Sequence, residues 1–425
     1  MRLRPLAIAF GAAFAASPMA WAQMQLTSST GPALESMSTG AGRSLSTRGI
    51  GSGLKLGDEA ILHAGVFADV GYDSNVFYVS KSQETSAVLH VMPRLEISNA
   101  ERDGSIPSGT YYDLSGSVDF VKYFSVDHQD AINPSLGGTA EFSSGQALSL
   151  TLSETFSRYK QAPYVADTGP IVRDDNMASV SLRFAPGGGR LNVMLRFTNL
   201  IDKYEGSYDG GSNMGNEGVL DIGWRWLPRT TIYAQVAQGA ITYFNSGTTD
   251  RSSYPLRTLL GLRGLLTEKL SVNIAAGYEN AFYSSGGSPT GFGNVGILAE
   301  VNYAVSTLTR AGLGYHHDFV NSPFLGGYYN MDAVYGTFQQ MVASRVVTYL
   351  FGRFENRRFG PASLTSRVDN YVMCGVALDY IVGKFLLAGA SYSLNLNRTT
   401  SPTTDATPGL NYTKHVLLFR LGVMY

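Results

Sequence analysis

The chain has 425 residues, of which 15% are charged, 12% are aromatic, 48 are glycine and one is cysteine. Because 32 Lys and Arg residues are balanced by 33 Asp and Glu residues, the chain lacks the basic excess of nucleic-acid-binding proteins, and no nucleic-acid partner is expected. The single cysteine excludes an intramolecular disulfide, and the low charge with many aromatic residues excludes a wholly disordered chain.

The first 22 residues have the pattern of a secretory signal peptide. Arg2 and Arg4 precede an apolar run at residues 6–16, and the small residues Ala20 and Ala22 predict cleavage after Ala22. Residues 23–57 are rich in Ser, Thr and Gly and lack periodicity, which predicts a flexible periplasmic tail. A plug inserted into a pore is the alternative interpretation of this segment. Residues 58–425 are predicted to form a β-barrel, because their residues alternate in polarity.

From about residue 60 to the end, apolar residues alternate with small, polar or charged residues. No uncharged apolar run reaches the 18 residues of a membrane-spanning helix, whereas strands of about 10–14 residues recur. We expect about eighteen strands, with sixteen to twenty allowed. They are predicted to start near Ile61, Thr85, Thr110, Ile132, Ala147, Asn176, Arg190, Gly215, Arg229, Tyr254, Lys269, Phe292, Thr307, Gly326, Ser344, Arg367, Lys384 and Thr413.

The connections between these strands alternate in length. Tight turns such as residues 227–228 follow one strand, and longer polar loops such as residues 72–84 follow the next. Aromatic residues cluster at strand ends, as amphipathic rings do at a lipid boundary. These features predict an all-β fold: a transmembrane antiparallel up-and-down β-barrel in the outer membrane of a Gram-negative bacterium, in contact with outer-membrane lipid and lipopolysaccharide.

The last strand ends in the alternating residues Phe419, Leu421, Val423 and Tyr425. This ending resembles the terminal signal of bacterial outer-membrane proteins, which implies recognition by the barrel-assembly machinery.

Two segments, in the first and the second predicted strands, carry a further likeness. The first strand ends in Gly71-Tyr72-Asp73-Ser74-Asn75-Val76, and the second strand, at residues 91–97, contains Pro93. This pair resembles the opening hairpin of the beta-barrel porin family of the second type, over about 35 residues. The resemblance implies an exopolysaccharide-export porin, a polysaccharide cargo and a periplasmic export protein as partner. It supplies no site residues.

If the apolar residues of each strand face lipid, the other residues face the lumen. Most charged strand residues fall on this inward set; Glu154, which shares the register of Leu150 and Leu152, is an exception. The predicted lumen-lining charged residues are Asp69, His90, Arg94, Glu96, Asp113, Asp119, Arg183, Arg196, Asp202, Asp221, Arg225, Arg257, Arg263, Glu279, Glu300, Arg310, Asp318, Asp332, Arg345, Arg353, Glu355, Arg357, Asp369, Asp379 and Arg420.

These inward residues have two interpretations. The charges either form a polar track for a hydroxyl-rich polymer or pair across strands to stabilise the wall. Inward aromatic residues, such as Tyr233, Tyr349, Phe351 and Tyr371, either stack on sugar rings or fill space.

No catalytic, cofactor-binding or metal site is expected. Residues 291–296 match the dinucleotide-binding glycine pattern but lack its strand-and-helix context. His316 and His317 are adjacent on a strand and therefore point to opposite faces, so they do not suit one metal ion. Cys374 falls on the lipid-facing set.

The predicted function is thus a passive conduit, with exopolysaccharide export implied by the resemblance. A small-solute porin and a plugged, adhesive surface barrel are the alternatives.

Overall fold

The computed structural model describes residues 53–57, 60–99, 109–161, 171–245, 252–283, 293–322, 327–343, 345–359, 367–400 and 410–425. The predicted signal peptide (residues 1–22) and most of the predicted tail (residues 23–57) lie outside these ranges. No helix among the described residues is long and apolar enough to span a bilayer.

The described residues form nineteen β-strands. They are β1 (Leu54–Leu56), β2 (Ala60–Asp73), β3 (Ser86–Ser98), β4 (Gly109–Tyr123), β5 (Ala131–Ser144), β6 (Leu148–Gln161), β7 (Ile171–Phe184), β8 (Leu191–Tyr204), β9 (Asn213–Leu227), β10 (Thr230–Tyr243), β11 (Leu256–Leu265), β12 (Leu270–Asn280), β13 (Gly293–Ala304), β14 (Thr309–Ser322), β15 (Gly327–Val342), β16 (Val346–Phe359), β17 (Arg367–Val382), β18 (Leu386–Thr400) and β19 (Tyr412–Met424). The helical segments Pro186–Gly189 and Gly206–Gly211 lie between strands.

Strands β2 to β19 close into one antiparallel barrel. Each pairs with the next in sequence, and β19 pairs with β2 from Val416↔Asp73 to Met424↔Gly65. The prediction of an eighteen-stranded up-and-down barrel is confirmed. The short β1 pairs with the start of β2, so the last residues of the predicted tail are a strand.

The alternation of the sequence placed the strands well. All but one of the predicted starts lie within two residues of an observed start. The exception is β7, which begins at Ile171 rather than near Asn176. Arg173 and Asp175 made residues 171–175 resemble a polar loop, whereas both side chains belong to the inward face and are buried.

The outer face of the barrel is apolar. Leu421, Leu260 and Leu313 are 69%, 65% and 61% exposed, which is the arrangement of a surface that meets lipid. Exposed aromatic side chains cluster at both ends of the strands. One rim carries Phe142, Phe184, Trp224, Trp226, Tyr303, Tyr380 and Tyr425, and the other carries Tyr72, Phe124, Phe244, Tyr254 and Phe282. Together these features define a transmembrane barrel.

The two ends of the barrel differ in their connections. Residues 228–229 join β9 to β10 at one end, whereas residues 74–85 join β2 to β3 at the other. In outer-membrane barrels the short turns are periplasmic and the longer loops extracellular. We name the two ends accordingly.

The closing seam between β2 and β19 requires a glycine. A Cβ atom on Gly71 would collide with the carbonyl oxygen of Leu417 on β19. This close approach explains the glycine of the Gly71-Tyr72-Asp73-Ser74-Asn75 segment.

Candidate functional site: the barrel lumen

The inner wall carries most of the charge of the barrel. Because successive strand residues point to opposite faces, charged residues that alternate with lipid-facing leucines and valines must face inward. Asp369 and Glu355 are 0% exposed, and Asp221 and Arg196 are 1% exposed. A buried charge needs an opposite charge or hydrogen bonds close by, and pairs of this kind recur around the wall.

Next to the closing seam, Arg420 on β19 and Asp69 on β2 form a doubly hydrogen-bonded pair. Arg420 Nε donates to Asp69 Oδ1 at 2.6 Å, and Nη2 donates to Oδ2 at 2.5 Å. On the neighbouring strands, His90 Nδ1 lies 3.0 Å from Asp119 Oδ2. Both pairs join residues on different strands: Arg420–Asp69 ties the last strand to the first, and His90–Asp119 ties β3 to β4.

A second network crosses β9 to β13. Arg263 on β11 donates to Asp221 on β9 at 2.6 and 3.0 Å, and its guanidinium lies 4.4 Å from the centre of the Tyr233 ring. The Tyr233 hydroxyl donates to Asn273 at 3.0 Å, and Asn273 donates to Glu300 at 3.3 Å. Tyr233 is thus part of a polar network, and its ring is covered by Arg263.

A third group lies on β16, where Glu355 stands between two arginines. Its carboxylate pairs with Arg353 and, at 2.5 Å, with Arg357. Arg357 also lies 4.7 Å from the centre of the Tyr371 ring on β17. On β17 itself, Arg367 and Asp369 pair at 3.0 Å. The ion pairs of this group run along β16 and along β17, whereas Arg263–Asp221 and Arg420–Asp69 join different strands. In both arrangements the inward charges are paired within the wall, which does not favour a track of freely hydrated charges.

The structure places most of the predicted lumen-lining charges on the inward face of a strand, and two of them at the periplasmic rim. Arg345 is exposed in the turn between β15 and β16, so its predicted place in the lumen is wrong; β16 begins only at Val346. Arg225 donates hydrogen bonds through Nη2 to the carbonyl oxygens of Gly188 and Gly189, each at 2.8 Å. It braces a periplasmic turn instead of facing the lumen.

The inward assignment of Asp332 is also wrong. Asp332 pairs across β14 and β15 with His317, and His317 lies opposite Ile297, which is exposed on the outer face. His317 Nδ1 and the Tyr315 hydroxyl each lie 2.8 Å from Asp332 Oδ1. His316 instead packs near Tyr335 inside the barrel, so the two histidines point apart.

Asp202 was predicted to line the lumen, but its buried partner Arg173 was not. Arg173 on β7 donates through Nε to Asp202 on β8 at 3.0 Å, and its guanidinium lies 5.6 Å from the centre of the Tyr204 ring. Arg173 was overlooked because its segment resembled a loop. The signal available was the alternation of Ile171, Arg173 and Asp175, which continues the inward register of β7.

The loop between β2 and β3, residues 74–85 (loop L1), folds into the barrel. Asn75 donates to the carbonyl oxygens of Val79 at 2.8 Å and Thr413 at 3.0 Å, and it accepts from the Val79 amide at 2.9 Å. Asp73 pairs with Lys414 at 2.7 Å. The segment that suggested a porin family therefore fastens loop L1 to the closing strand.

Loop L1 covers the inner wall of β16 to β19. Tyr78 packs edge-on against Tyr412, with ring centres 5.1 Å apart, and belongs to one buried cluster with Phe351, Tyr371 and Met373. The predicted inward aromatics on β16 and β17 thus fill space beneath the loop.

A second segment reaches across the extracellular mouth. The pairing of β13 with β14 stops at Ile297↔His317, whereas β14 continues to pair with β15 as far as Ser322. Beyond that point Phe319 and Val320 are both buried, although adjacent strand residues point to opposite faces. We call residues 318–321 and 328–329 the β14–β15 tip.

Contacts with distant strands show that this tip leans inward. Asn321 donates to the Tyr243 hydroxyl on β10 at 2.6 Å, and Arg257 on β11 donates to Asp318 at 3.0 Å. Four strand spacings separate β14 from β10, about 19 Å along the wall. Tyr283, in the loop after β12, donates to Asn321 at 3.3 Å; burial raises the pKa of its hydroxyl, which stays protonated.

One sector of the inner wall is built from hydroxyl side chains instead of charges. Six of the inward Ser and Thr residues on β5 and β6 are what we call the hydroxyl face: Ser135, Thr139, Thr151, Ser153, Thr155 and Ser157. Ser135 and Thr155 are exposed and the other four are half-buried. This face was not predicted from the sequence, because the charged residues gave the clearer inward pattern, although Ser and Thr alternate with Leu at residues 148–152.

No family model matches the chain, and no curated protein matches it in sequence. Solved structures with a similar fold include the outer membrane protein opdK from Pseudomonas aeruginosa (8% identity, 86% of this chain, 99% of that chain, TM-score 0.46). They also include OccAB3 from Acinetobacter baumannii (10%, 86%, 99%, 0.44) and the FrpB iron transporter from Neisseria meningitidis (9%, 84%, 66%, 0.49). The family suggested by the opening hairpin stays a prediction.

Proposed function

We propose that the protein is a passive conduit through the outer membrane and that its cargo is an exopolysaccharide. The observation that carries the proposal is the closed eighteen-stranded barrel with an apolar outer wall and a polar inner wall. Barrels of sixteen to eighteen strands are wide enough for an aqueous channel. The hydroxyl and amide groups of the inner wall suit a hydroxyl-rich cargo, and the opening hairpin resembles that of export porins.

A conduit of this kind needs no catalysis, so we propose no enzymatic activity and no cofactor. The proposed partners are outer-membrane lipid and lipopolysaccharide, the barrel-assembly machinery and a periplasmic export protein that delivers the polymer.

A small-solute porin is the second candidate, and one observation favours it. Loop L1 and the β14–β15 tip both fold inward at the extracellular end, and such segments narrow a pore. A polymer needs a wider passage than a small solute. An exporter therefore requires that loop L1 or the β14–β15 tip moves away from the lumen during transport.

The experiment has two parts. Deletion of the gene is expected to abolish surface polysaccharide while uptake of small solutes is unchanged; the reverse result would favour the small-solute porin. In planar bilayers, the refolded full-length barrel is expected to conduct ions in steady steps. Folding is checked by heat-modifiable migration on a gel.

The same recording without residues 23–52 tests the plug alternative while keeping β1. Current that appears only after this truncation would make the tail a plug. A folded barrel that conducts in neither form contradicts the open conduit and favours the adhesive surface barrel.

A further inference from the structure

We propose that the route through the barrel runs along the hydroxyl face of β5 and β6, and that this face binds neutral glycan chains in preference to acidic ones. The inference rests on the proposed function, because it needs a conduit. It goes further by naming the wall that the cargo touches and the chemical class of that cargo.

The first argument is space. The hydroxyl face has only small side chains, and Ser135 and Thr155 are exposed although they point into the barrel. Two other sectors of the inner wall are covered: loop L1 lies over β16 to β19, and the β14–β15 tip reaches β10 and β11. The hydroxyl face therefore belongs to the part of the inner wall that these two segments leave accessible.

The second argument is a buried hydroxyl that lacks a partner. The strand register sets Thr139, Ser153, Ser179 and Thr198 side by side from β5 to β8. Ser153 Oγ and Ser179 Oγ are 2.8 Å apart, whereas Thr198, only 2% exposed, has no hydrogen-bond partner for Oγ1 in the described part of the chain. An unsatisfied buried hydroxyl is costly. Thr198 therefore continues the row of hydroxyls as far as β8, where Glu217 on β9 is its next neighbour, and the hydrogen-bonding capacity of Oγ1 is unused.

The third argument is charge. Among the inward residues of β5 and β6 in the described ranges, only Glu141 is charged, and it lies near the periplasmic end. On β7, Arg173 is engaged by Asp202 and Arg183 donates to Asn192. An acidic polymer would meet Glu141 on entry and would find no free cation on this face. A neutral sugar chain can use hydroxyl–hydroxyl hydrogen bonds along its length.

The test records ion current through the full-length barrel in a planar bilayer with maltohexaose, a neutral probe, and hexagalacturonate, an acidic one. Maltohexaose is expected to interrupt the current, and hexagalacturonate to do so far less. Thr151→Val with Thr155→Val removes two hydroxyls while preserving shape. This variant is expected to weaken the maltohexaose block about tenfold, or about 1.4 kcal/mol.

Thr337→Val is the matched control, because Thr337 is an inward, half-buried threonine on β15, away from the hydroxyl face. It is expected to leave the block unchanged. A second pair, Thr155→Trp and Thr337→Trp, tests the route by bulk: only the first should lower the open-channel conductance.

The outcomes separate the two proposals. If the barrel conducts but both probes block equally, or if the variants at Thr337 act as strongly as those on the hydroxyl face, this inference is overturned and the conduit stands. If the folded wild-type barrel does not conduct, the conduit itself is overturned, and the inference falls with it.

Discussion

Arg420 and Asp69 face each other across the seam where the last strand of the barrel meets the first, and both are buried. The guanidinium donates two hydrogen bonds to the carboxylate, at 2.6 and 2.5 Å. The residues are 351 positions apart in sequence. Closure of the barrel thus places one pair of opposite charges in a position that no local pattern specifies.

The first prediction concerns this pair. Asp69→Ala or Arg420→Ala leaves the other charge buried without its partner, which costs about 3–5 kcal/mol in comparable buried pairs. We expect each single variant to unfold at lower urea concentration, measured by the heat-modifiable gel shift. Asp69→Ala with Arg420→Ala should be less destabilised than the sum of the two.

The exposed pair Lys122–Asp130 provides the control. Both side chains are about half exposed, and exposed pairs contribute little, so Lys122→Ala should change stability by less than about 1 kcal/mol. Equal losses in Lys122→Ala and Arg420→Ala would mean that burial is not what makes the seam pair important.

The second prediction concerns loop L1. Asn75→Ala removes one hydrogen bond within loop L1, to Val79, and one that fastens the loop to β19, to Thr413. Without them, Tyr78 should leave its aromatic cluster. We expect a larger and noisier single-channel conductance from a barrel that still folds. Lys81→Ala, an exposed change in the same loop, should leave the recording unaltered. An unchanged conductance in Asn75→Ala would show that loop L1 does not narrow the pore.

The third prediction concerns the β14–β15 tip. Asn321→Ala removes the hydrogen bond to Tyr243 that holds the tip across the mouth, so conductance should rise. Tyr243→Phe removes the same bond from the other side and should give the same result. Because loop L1 and the tip cover different strands, the double variant Asn75→Ala with Asn321→Ala should conduct better than either single variant. A double variant that conducts no better than either single one would contradict two separate constrictions.

The two inward segments also mark the limit of what the sequence could predict. Alternation of apolar and polar residues determined the strands, because each strand must present one face to lipid and the other to the lumen. No such rule applies to a loop. Loop L1 turns inward through a contact between Asn75 and Thr413, and the tip through Asn321 and Tyr243, which are 338 and 78 positions apart.

The lumen illustrates the same division. Register predicted which side chains point inward, but it did not predict which of them are accessible once the barrel is closed. Asp369 and Thr155 share the inward orientation, yet Asp369 is buried within its ion pair and Thr155 is exposed. Arg345 and Arg225 were wrongly predicted to face the lumen because they lie at strand ends, where the alternating pattern does not show at which residue a strand stops.

The fourth prediction concerns the chain terminus. Tyr425 stacks on Phe385, with ring centres 5.7 Å apart, and its amide donates to the Ala64 carbonyl oxygen at 2.9 Å. If Tyr425 is also read by the assembly machinery, Tyr425→Ala should lower the amount of folded barrel in the outer membrane more than Phe385→Ala does. Phe385→Ala removes the same ring contact without changing the terminus. Equal losses would assign Tyr425 a structural role only.

The fifth prediction concerns Glu154, the charged residue that breaks the pattern of the outer wall. It points outward from β6 between Leu152 and Phe156, is exposed, and accepts a hydrogen bond from Asn176 at 3.1 Å. A charge on the lipid face is unfavourable, less so for a carboxylate than for Arg or Lys. Glu154→Leu should therefore stabilise the barrel in lipid by up to about 2 kcal/mol, measured by urea unfolding in vesicles.

Leu152→Glu is the matched control, because Leu152 lies two residues before Glu154 and also faces outward. It should destabilise the barrel. If Glu154→Leu instead weakens the barrel, polar contacts of the carboxylate outweigh the cost of exposing it to lipid. These contacts are either the hydrogen bond from Asn176 alone or that bond together with a polar neighbour outside the barrel. A second copy of the chain could be that neighbour, and cross-linking in vesicles would then show an oligomer that Glu154→Leu disrupts. If Glu154→Leu stabilises the monomeric barrel, the Glu154 side chain faces lipid. The fold then tolerates the free-energy cost of a charge on its lipid face.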